Sequence, residues 1–319
     1  MEQQQQISIL TENDRFEGYL MVRSAERRKD SRGNYYLDLN LTDRSGEINC
    51  KHWDKNAVPP TPGTAVHVTG QITVFNGRVQ MKILSMRNSC PEDNVDFTVL
   101  IPCAPEKPEV MMQQIQDTIE AFSSDELRRI VQKMLEMTHE KLAFFPAAMR
   151  MHHAEKGGLL HHTTDMLQTA KHILKCYPFL NSDLLLAGVI IHDLAKTVEM
   201  ESDELGNVSD YTRDGLLVGH LVRGVSMLDE AASAVGVRGE WLQLLEHMMI
   251  SHHGIPDYGS PKYPMFPEAE VLHWIDLLDA RMNEMKAIED RTPPGAFSEK
   301  IQSLDGRRMY HPLYNDKAD

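Results

Sequence analysis

Through the first quarter of the chain, apolar and polar positions alternate with a period of two. Tyr35, Leu37, Leu39 and Leu41 interleave with Tyr36, Asp38, Asn40 and Thr42, which predicts a half-buried strand. Asp43-Arg44-Ser45-Gly46 reads as a turn, after which Ile48, Cys50 and His52 alternate with Glu47, Asn49 and Lys51. Ala65 to Phe75 places Val66, Val68, Ile72 and Val74 on one face. Asn76-Gly77 then forms a hairpin signal, because both residues tolerate positive φ, and Val79, Met81 and Ile83 return on the partner strand. With Phe16 to Val22 in front, five strands are expected, with a loop at residues 53–63. Three prolines between Pro102 and Pro108 end this pattern. Beyond them the period changes to three and four. Val110 to Phe122 and Asp125 to Met137 (Leu127, Ile130, Val131, Met134, Leu135) predict helices, with Ser123-Ser124-Asp125 as a cap region.

Five long, hairpin-connected strands fit an OB-fold, whose outer face on strands 2 and 3 binds single-stranded oligonucleotides. If the leucines point inward, Tyr36, Asp38, Asn40, Asn49, Lys51 and Trp53 point out. An outward Tyr36 and Trp53 with Lys51 and the basic run Arg27-Arg28-Lys29 suit base stacking combined with phosphate contacts. The competing reading makes Tyr36 and Trp53 the cover of a barrel end and the basic run a solvated loop.

The 319 residues suffice for about two domains, and 41% hydrophobic with 25% charged residues is the balance of a globular chain. The longest uncharged apolar run, Leu184 to Ile191, is far below the roughly 20 residues of a membrane span. The glutamine-rich start has no cationic and apolar signal region, and the four cysteines (Cys50, Cys90, Cys103, Cys176) form no C-x-x-C pair. A cytoplasmic protein with reduced thiols and no membrane partner is expected. Charge is divided: residues 1–90 carry net +2, leaving −16 of the total −14 on the remainder. Histidine runs the other way, with eleven of fifteen between residues 152 and 273. Imidazoles gathered in an acidic domain are what a cation site needs.

Five fragments in that domain carry chemistry: Gly157-Gly158-Leu159-Leu160-His161-His162-Thr163, His192-Asp193-Leu194-Ala195-Lys196, Gly219-His220-Leu221, Ser251-His252-His253-Gly254, and Trp274-Ile275-Asp276-Leu277-Leu278-Asp279. Each lies in or at the end of an apolar helical stretch. Leu184 to Ile191 runs straight into His192-Asp193, and burying imidazole beside carboxylate is costly unless something compensates them. A divalent cation does so, because neutral imidazoles and ionised carboxylates are its ligands. Taken singly, each fragment is also explained by packing or capping.

In this order the fragments resemble the HD-domain metal-dependent phosphohydrolases, with their His…His-Asp…His…His-His…Asp signature. The resemblance implies that Asp193 bridges two metals, that His162, His192 and Asp276 complete one site, and that His220, His252 and His253 complete the other. Such a pair holds a phosphoryl oxygen and lowers the pKa of a bound water. Lys196, four residues after His192 and so on the same helical face, is the candidate to meet phosphate in the transition state, against the alternative of a solvated lysine. His152 and His153 are placed near ligands or substrate, His247 is read as structural, and His273 as packing or as support for the ligands.

An OB-fold followed by a helical linker and an HD domain is similar to the bacterial YhaM-type 3′→5′ exoribonuclease family. The likeness rests on Tyr35-Tyr36-Leu37 to Trp53, on Gly157-Gly158-Leu159-Leu160, and on Ser260-Pro261-Lys262 to Asp279-Ala280-Arg281. One departure is that the family usually has Glu where His161 stands. The implied architecture is an all-β OB-fold barrel followed by an all-α HD bundle: nucleic-acid binding at 1–95, a linker with connecting helices at 96–140, phosphohydrolase at 141–292, and a C-terminal segment at 293–319. The implied activity is hydrolysis of single-stranded RNA, with single-stranded DNA as a further substrate, to nucleoside monophosphates. It uses two divalent ions, Mn²⁺ by likeness, with Fe²⁺ or Zn²⁺ as alternatives. The rivals are a nucleotidase or cyclic-dinucleotide phosphodiesterase, and a non-catalytic single-strand-binding protein. Phe297 to Tyr314 is expected to pack on the core or on a second subunit, which leaves a homo-oligomer open.

Overall fold

A computed structural model describes residues 4–30, 32–54, 56–75, 78–149 and 153–313, in two units, Met1–Cys103 and Ala104–Asp319. The expected Asn76-Gly77 turn, His152 and Tyr314 lie outside the described residues.

In the first unit, strands β1 (Arg15–Lys29), β2 (Tyr35–Asp43), β3 (Gly46–His52), β4 (Ala65–Phe75) and β5 (Arg78–Asn88) close a barrel in the order β1-β2-β3-β5-β4. All pairings are antiparallel except β3 with β5. The alternation works as expected inside: Leu37, Leu39, Leu41, Ile48, Cys50, Val66, Val68, Ile72 and Met81 are buried around Phe16 and Leu20. Three expectations need correction. The first strand does not stop at Val22. A register shift between Val22 and Ser24 lets its first half pair with β4 and its second half with β2, as far as Lys29 opposite Tyr35. The basic run is therefore strand and not loop. Val74 does not share the burial of Val66, Val68 and Ile72, with which the pattern grouped it, and Val79 on the partner strand is exposed as well. They oppose each other near the hairpin tip, and the pairing of β1 reaches only Gln71 of β4, so nothing in the barrel wall remains to cover them.

The second unit begins with α1 (Pro108–Glu120) and α2 (Asp125–Leu142), and Ser124 caps α2 by accepting from the Leu127 N–H. Next come α3 (Gly158–Cys176), α4 (Ser182–Ile191), α5 (Lys196–Glu199), a hairpin of β6 (Met200–Ser202) with β7 (Val208–Tyr211), α6 (Arg213–Leu217), α7 (Gly219–Ala234), α8 (Glu240–Ser251) and α9 (Pro267–Arg291). The β6–β7 hairpin is an addition to the expected all-α bundle. All eight residues from Leu184 to Ile191 are buried. A helix apolar all round has no face to give to water, so α4 sits inside, packed on α2, α3, α8 and α9. Each of its Leu, Ile and Val side chains contributes about 1.5–3 kcal/mol, which makes α4 a stiff rod with His192 at its end. Residues 295–311 fold back on themselves through bridges Phe297–Tyr310 and Ile301–Arg307, with Leu304 buried. Among the described residues no helix is long and apolar enough to cross a membrane.

Candidate active site

Four of the five fragments singled out in the helical unit deliver a histidine to one point, each with its outer ring nitrogen already engaged, and the fifth delivers Asp276. His162 is carried by α3. Gly157 turns with φ +73°, and a Cβ on Gly158 would lie 2.0 Å from the His153 carbonyl oxygen, so only this glycine pair lets α3 start against that loop. His162 Nδ1 pairs with Asp279 Oδ2 at 2.6 Å. His192 Nδ1 donates to the Val189 carbonyl (2.9 Å) and His252 Nδ1 to that of Met249 (2.8 Å), each one turn back on its own helix. Gly219, with φ +75°, opens α7 so that the His220 N–H and Nδ1 both reach Glu199 Oε1 at 2.9 Å. An imidazole whose Nδ1–H is held in this way presents the Nε2 lone pair inward.

The inner atoms converge on Asp193. His192 Nε2 lies 3.3 Å from Asp193 Oδ2, and His162 Nε2 lies 3.7 Å from that oxygen and 3.3 Å from Asp276 Oδ1. The other oxygen, Asp193 Oδ1, faces His220 Nε2 at 3.6 Å and His252 Nε2 at 3.7 Å. These three atoms are buried and have no hydrogen-bond partner among the described residues. Leaving such groups unpaired costs about 1–3 kcal/mol each. The gaps are too wide for hydrogen bonds, whereas ligands around a cation with bonds of about 2.0–2.2 Å stand roughly 3 Å or more apart. Donor atoms of His220, His252 and His253, of His162, His192 and Asp193, and of His192, His252 and Asp276 form groups able to hold a metal. The residues present therefore fit divalent cations, with one carboxylate facing both sets.

The electrostatics agree. Burial works against the charged form of Asp193, but Lys196, His192 and His220 outweigh it and hold the carboxyl far below its usual range. Burial likewise opposes a charged His162, yet the Asp276 and Asp279 carboxylates raise it to about 10. Burial pushes His252 and His253 down, toward the neutral form that ligates.

Lys196 reaches this centre by a different route from the one expected. α4 ends at Ile191, and the chain continues through i→i+3 bonds, Leu194 N–H to Ile191 O (3.2 Å) and Lys196 N–H to Asp193 O (2.9 Å). Three residues per turn bring Lys196 over Asp193 instead of over His192, with Nζ 2.7 Å from Asp193 Oδ2 and the side chain half-buried. The ion pair with Asp193 sets it apart from a freely solvated lysine.

Sequence reasoning missed the partners of the histidines. Asp279 stands three residues after Asp276 and Glu199 three after Lys196, a spacing that is the available signal for both. His161, adjacent to His162, is turned to Glu155 (2.7 Å) and Asp165 (3.2 Å). Burial opposes its charge, but Asp165 and Glu155 lift it to about 9. Burial would raise Glu155, yet His153 and His161 bring it down to about 2. His273 donates from Nδ1 to the His252 carbonyl (2.9 Å) and so steadies that turn, while His247 Nε2 accepts from the Met265 N–H.

On the barrel, Tyr36 and Trp53 stack with centroids 4.7 Å apart. Lys51 reaches Asp38 (2.6 Å) and lies over the Tyr36 ring, and Arg28 meets Asp38 at 3.2 Å. Strand alternation divides the basic run: Arg27 and Lys29 cover Tyr35, not Tyr36. A hollow of about 530 Å³ beside Trp53 is lined by Tyr36, Lys51, Lys82 and Phe75. Phe75 and Lys82 were not singled out in the sequence.

A closed five-stranded barrel with an outward aromatic face, joined to a helical unit with a histidine–aspartate centre, defines an OB-fold plus HD-domain protein. Residues 17–88 match the family of OB-fold nucleic acid binding domains, and residues 159–281 match the HD domain. The chain is 39% identical over 301 residues to a Geobacillus protein named 3'-5' exoribonuclease YhaM, covering 93% of this chain and 92% of the relative. It is 36% identical over 314 residues to the Oceanobacillus iheyensis protein of that name, at 97% and 98% coverage. It is 38% identical over 300 residues to the one from Listeria monocytogenes, at 93% and 95%. The chain belongs to the YhaM family of 3′-5′ exoribonucleases.

Proposed function

We propose that this protein is a metal-dependent 3′→5′ exoribonuclease that hydrolyses phosphodiester bonds of single-stranded RNA to nucleoside monophosphates. The observation that carries this reading is the meeting of three buried, unpartnered atoms, Asp193 Oδ1, His220 Nε2 and His252 Nε2, inside an HD domain. Two divalent cations, Mn²⁺ foremost and Fe²⁺ or Zn²⁺ as alternatives, would supply Lewis acidity and a water that ionises near neutral pH. Their holders would be His162, His192 and Asp276 on one side and His220, His252 and His253 on the other, with Asp193 between. Asp279 and Glu199 fix the rings of His162 and His220. Asp193 keeps Lys196 charged inside the protein, so the ammonium meets a phosphate oxygen as negative charge builds up.

On the barrel, Tyr36 and Trp53 offer ring faces for bases, and Lys51 and Arg28 offer charge for phosphates, with Arg27 and Lys29 flanking on Tyr35. Bases stack on any such ring, so single-stranded DNA is the second polymer to assay. Work in the cytoplasm fits four free cysteines. Self-association is the remaining part of this reading, and sedimentation measures it directly.

The test is a 5′-labelled oligoribonucleotide with Mn²⁺ beside a panel of mononucleotides and cyclic dinucleotides. A ladder shortening from the 3′ end with release of monophosphates is expected. Turnover of the small nucleotides alone would end the exonuclease reading, and unchanged RNA degradation by Asp193→Ala would end the role of the metal centre.

A further inference from the structure

A second imidazole–carboxylate cluster lies next to the centre just described and has no part in it: His153, Glu155 and His161. We propose that these three residues hold a further divalent transition-metal ion, separate from the pair around Asp193. The cluster repeats the construction of that centre with the ring nitrogens exchanged. His153 Nε2 is engaged by Asp279 Oδ2 at 2.8 Å, and His161 Nε2 by Asp165 Oδ2 at 3.2 Å. Carboxylates behind both outer nitrogens turn the Nδ1 atoms toward each other, 3.0 Å apart. Glu155 Oε1 stands 2.7 Å from His161 Nδ1 and 3.6 Å from His153 Nδ1. These contacts are hydrogen bonds that share protons among three atoms able to ligate, and a cation at their middle would take the place of those protons.

The edges of this triangle match the roughly 3 Å separation of neighbouring ligands around an ion with bonds of about 2.0–2.2 Å. Two imidazoles and a carboxylate suit Mn²⁺, Fe²⁺ or Zn²⁺ and not Mg²⁺. His153 is buried, and its backbone is held at φ +48°, left-handed for a non-glycine residue, with its N–H donating to Asn283 Oδ1 at 3.0 Å. Strain of this kind persists where the surroundings over-determine a position. The Asn283 amide nitrogen lies 3.4 Å from His153 Nδ1, a long contact. The side chains of Glu155 and His161 are partly open toward Asp165, which leaves room for water to complete the coordination. Asp279 accepts from both His153 and His162, so an ion here would share a carboxylate with the ring that serves the central pair.

The experiment is metal counting on untagged full-length protein, stripped with a chelator, reloaded with Mn²⁺ or Zn²⁺, and freed of excess by gel filtration. Anomalous scattering from crystals of the same preparation locates the ions. Wild type is expected to hold three equivalents, with one anomalous peak among His153, Glu155 and His161. His161→Gln and Glu155→Gln are each expected to hold two, while Asp193→Asn keeps the peak at the cluster and loses those at the centre. Saturation of wild type at two ions would overturn the proposal, as would a third equivalent that survives both substitutions. If neither variant folds, the wild-type anomalous map decides alone: density at the cluster supports the site and its absence refutes it. Failure of the two-ion reading looks different, with no peaks around Asp193 whatever is found at His161.

Discussion

The two units each display a polar face, and the faces are finished to different degrees. On the barrel, Asp38 is met by Lys51 and Arg28, Asn49 bridges Asp38 and Asn40, and Gln80 donates to Asn49. Every polar group named there has its partner within the protein, so the face is complete before any ligand arrives. In the helical unit, Asp193, His220 and His252 each keep one buried atom without a hydrogen bond among the described residues. One surface is ready to stack and release a flexible polymer, whereas the other is incomplete until positive charge enters it. Binding and chemistry make opposite demands: transient contact favours a self-satisfied surface, while a centre that must hold cations tightly keeps its lone pairs unshared.

Asp193→Asn should break the contrast most severely. Removing the carboxylate that faces both ligand sets is expected to lower RNA hydrolysis by about 10³-fold or more, with RNA affinity of the barrel unchanged in a filter-binding assay. Chelation should separate the units by stability. An ion at 100 times its Kd contributes about 2.7 kcal/mol, so the melting transition of the helical unit should fall on stripping while that of the barrel stays in place. Calorimetry with and without re-added Mn²⁺ reads both. Glu199→Gln sharpens the comparison further. It keeps the shape but weakens the hold on the His220 ring, and metal affinity should drop about 10- to 100-fold, measured by titration calorimetry, with little change in the apo-protein's melting.

The smallest effect belongs to the barrel. Burial would raise the Asp38 carboxyl, but Lys51 and Asn49 outweigh it and hold it below its ordinary value. A carboxyl lowered by folding stabilises above its unfolded pKa of about 4 and loses that contribution as pH falls through the folded value. Asp38→Asn should therefore cost about 0.5–1 kcal/mol at neutral pH, and the gap from wild type in urea melts should close below pH 4. A gap that widened on acidification would contradict this account.

Much of this molecule is visible in local pattern. Alternation of Leu37, Leu39 and Leu41 marks the barrel wall because a strand has only two faces. The eight apolar residues ahead of His192 announce a buried helix. Recognition of the histidine fragments needs only their order. What escaped local reading are positions where distant segments meet. The length of β1 depends on β2 lying beside it, and the exposure of Val74 depends on where the pairing of β1 runs out. The approach of Lys196 to Asp193 depends on α4 ending in a tight turn.

Residue type and spacing by themselves determine that this chain makes a small barrel and a histidine-bearing helical domain, because periodicity and side-chain chemistry are properties of short stretches. Only the folded arrangement decides which nitrogen of each ring faces inward. Asp279 lies 117 residues from His162, and Glu199 lies 21 residues from His220, so no window of sequence shows them as partners. A hydrogen bond on one side of an imidazole selects the lone pair on the other, and that choice is made by whatever tertiary packing brings alongside.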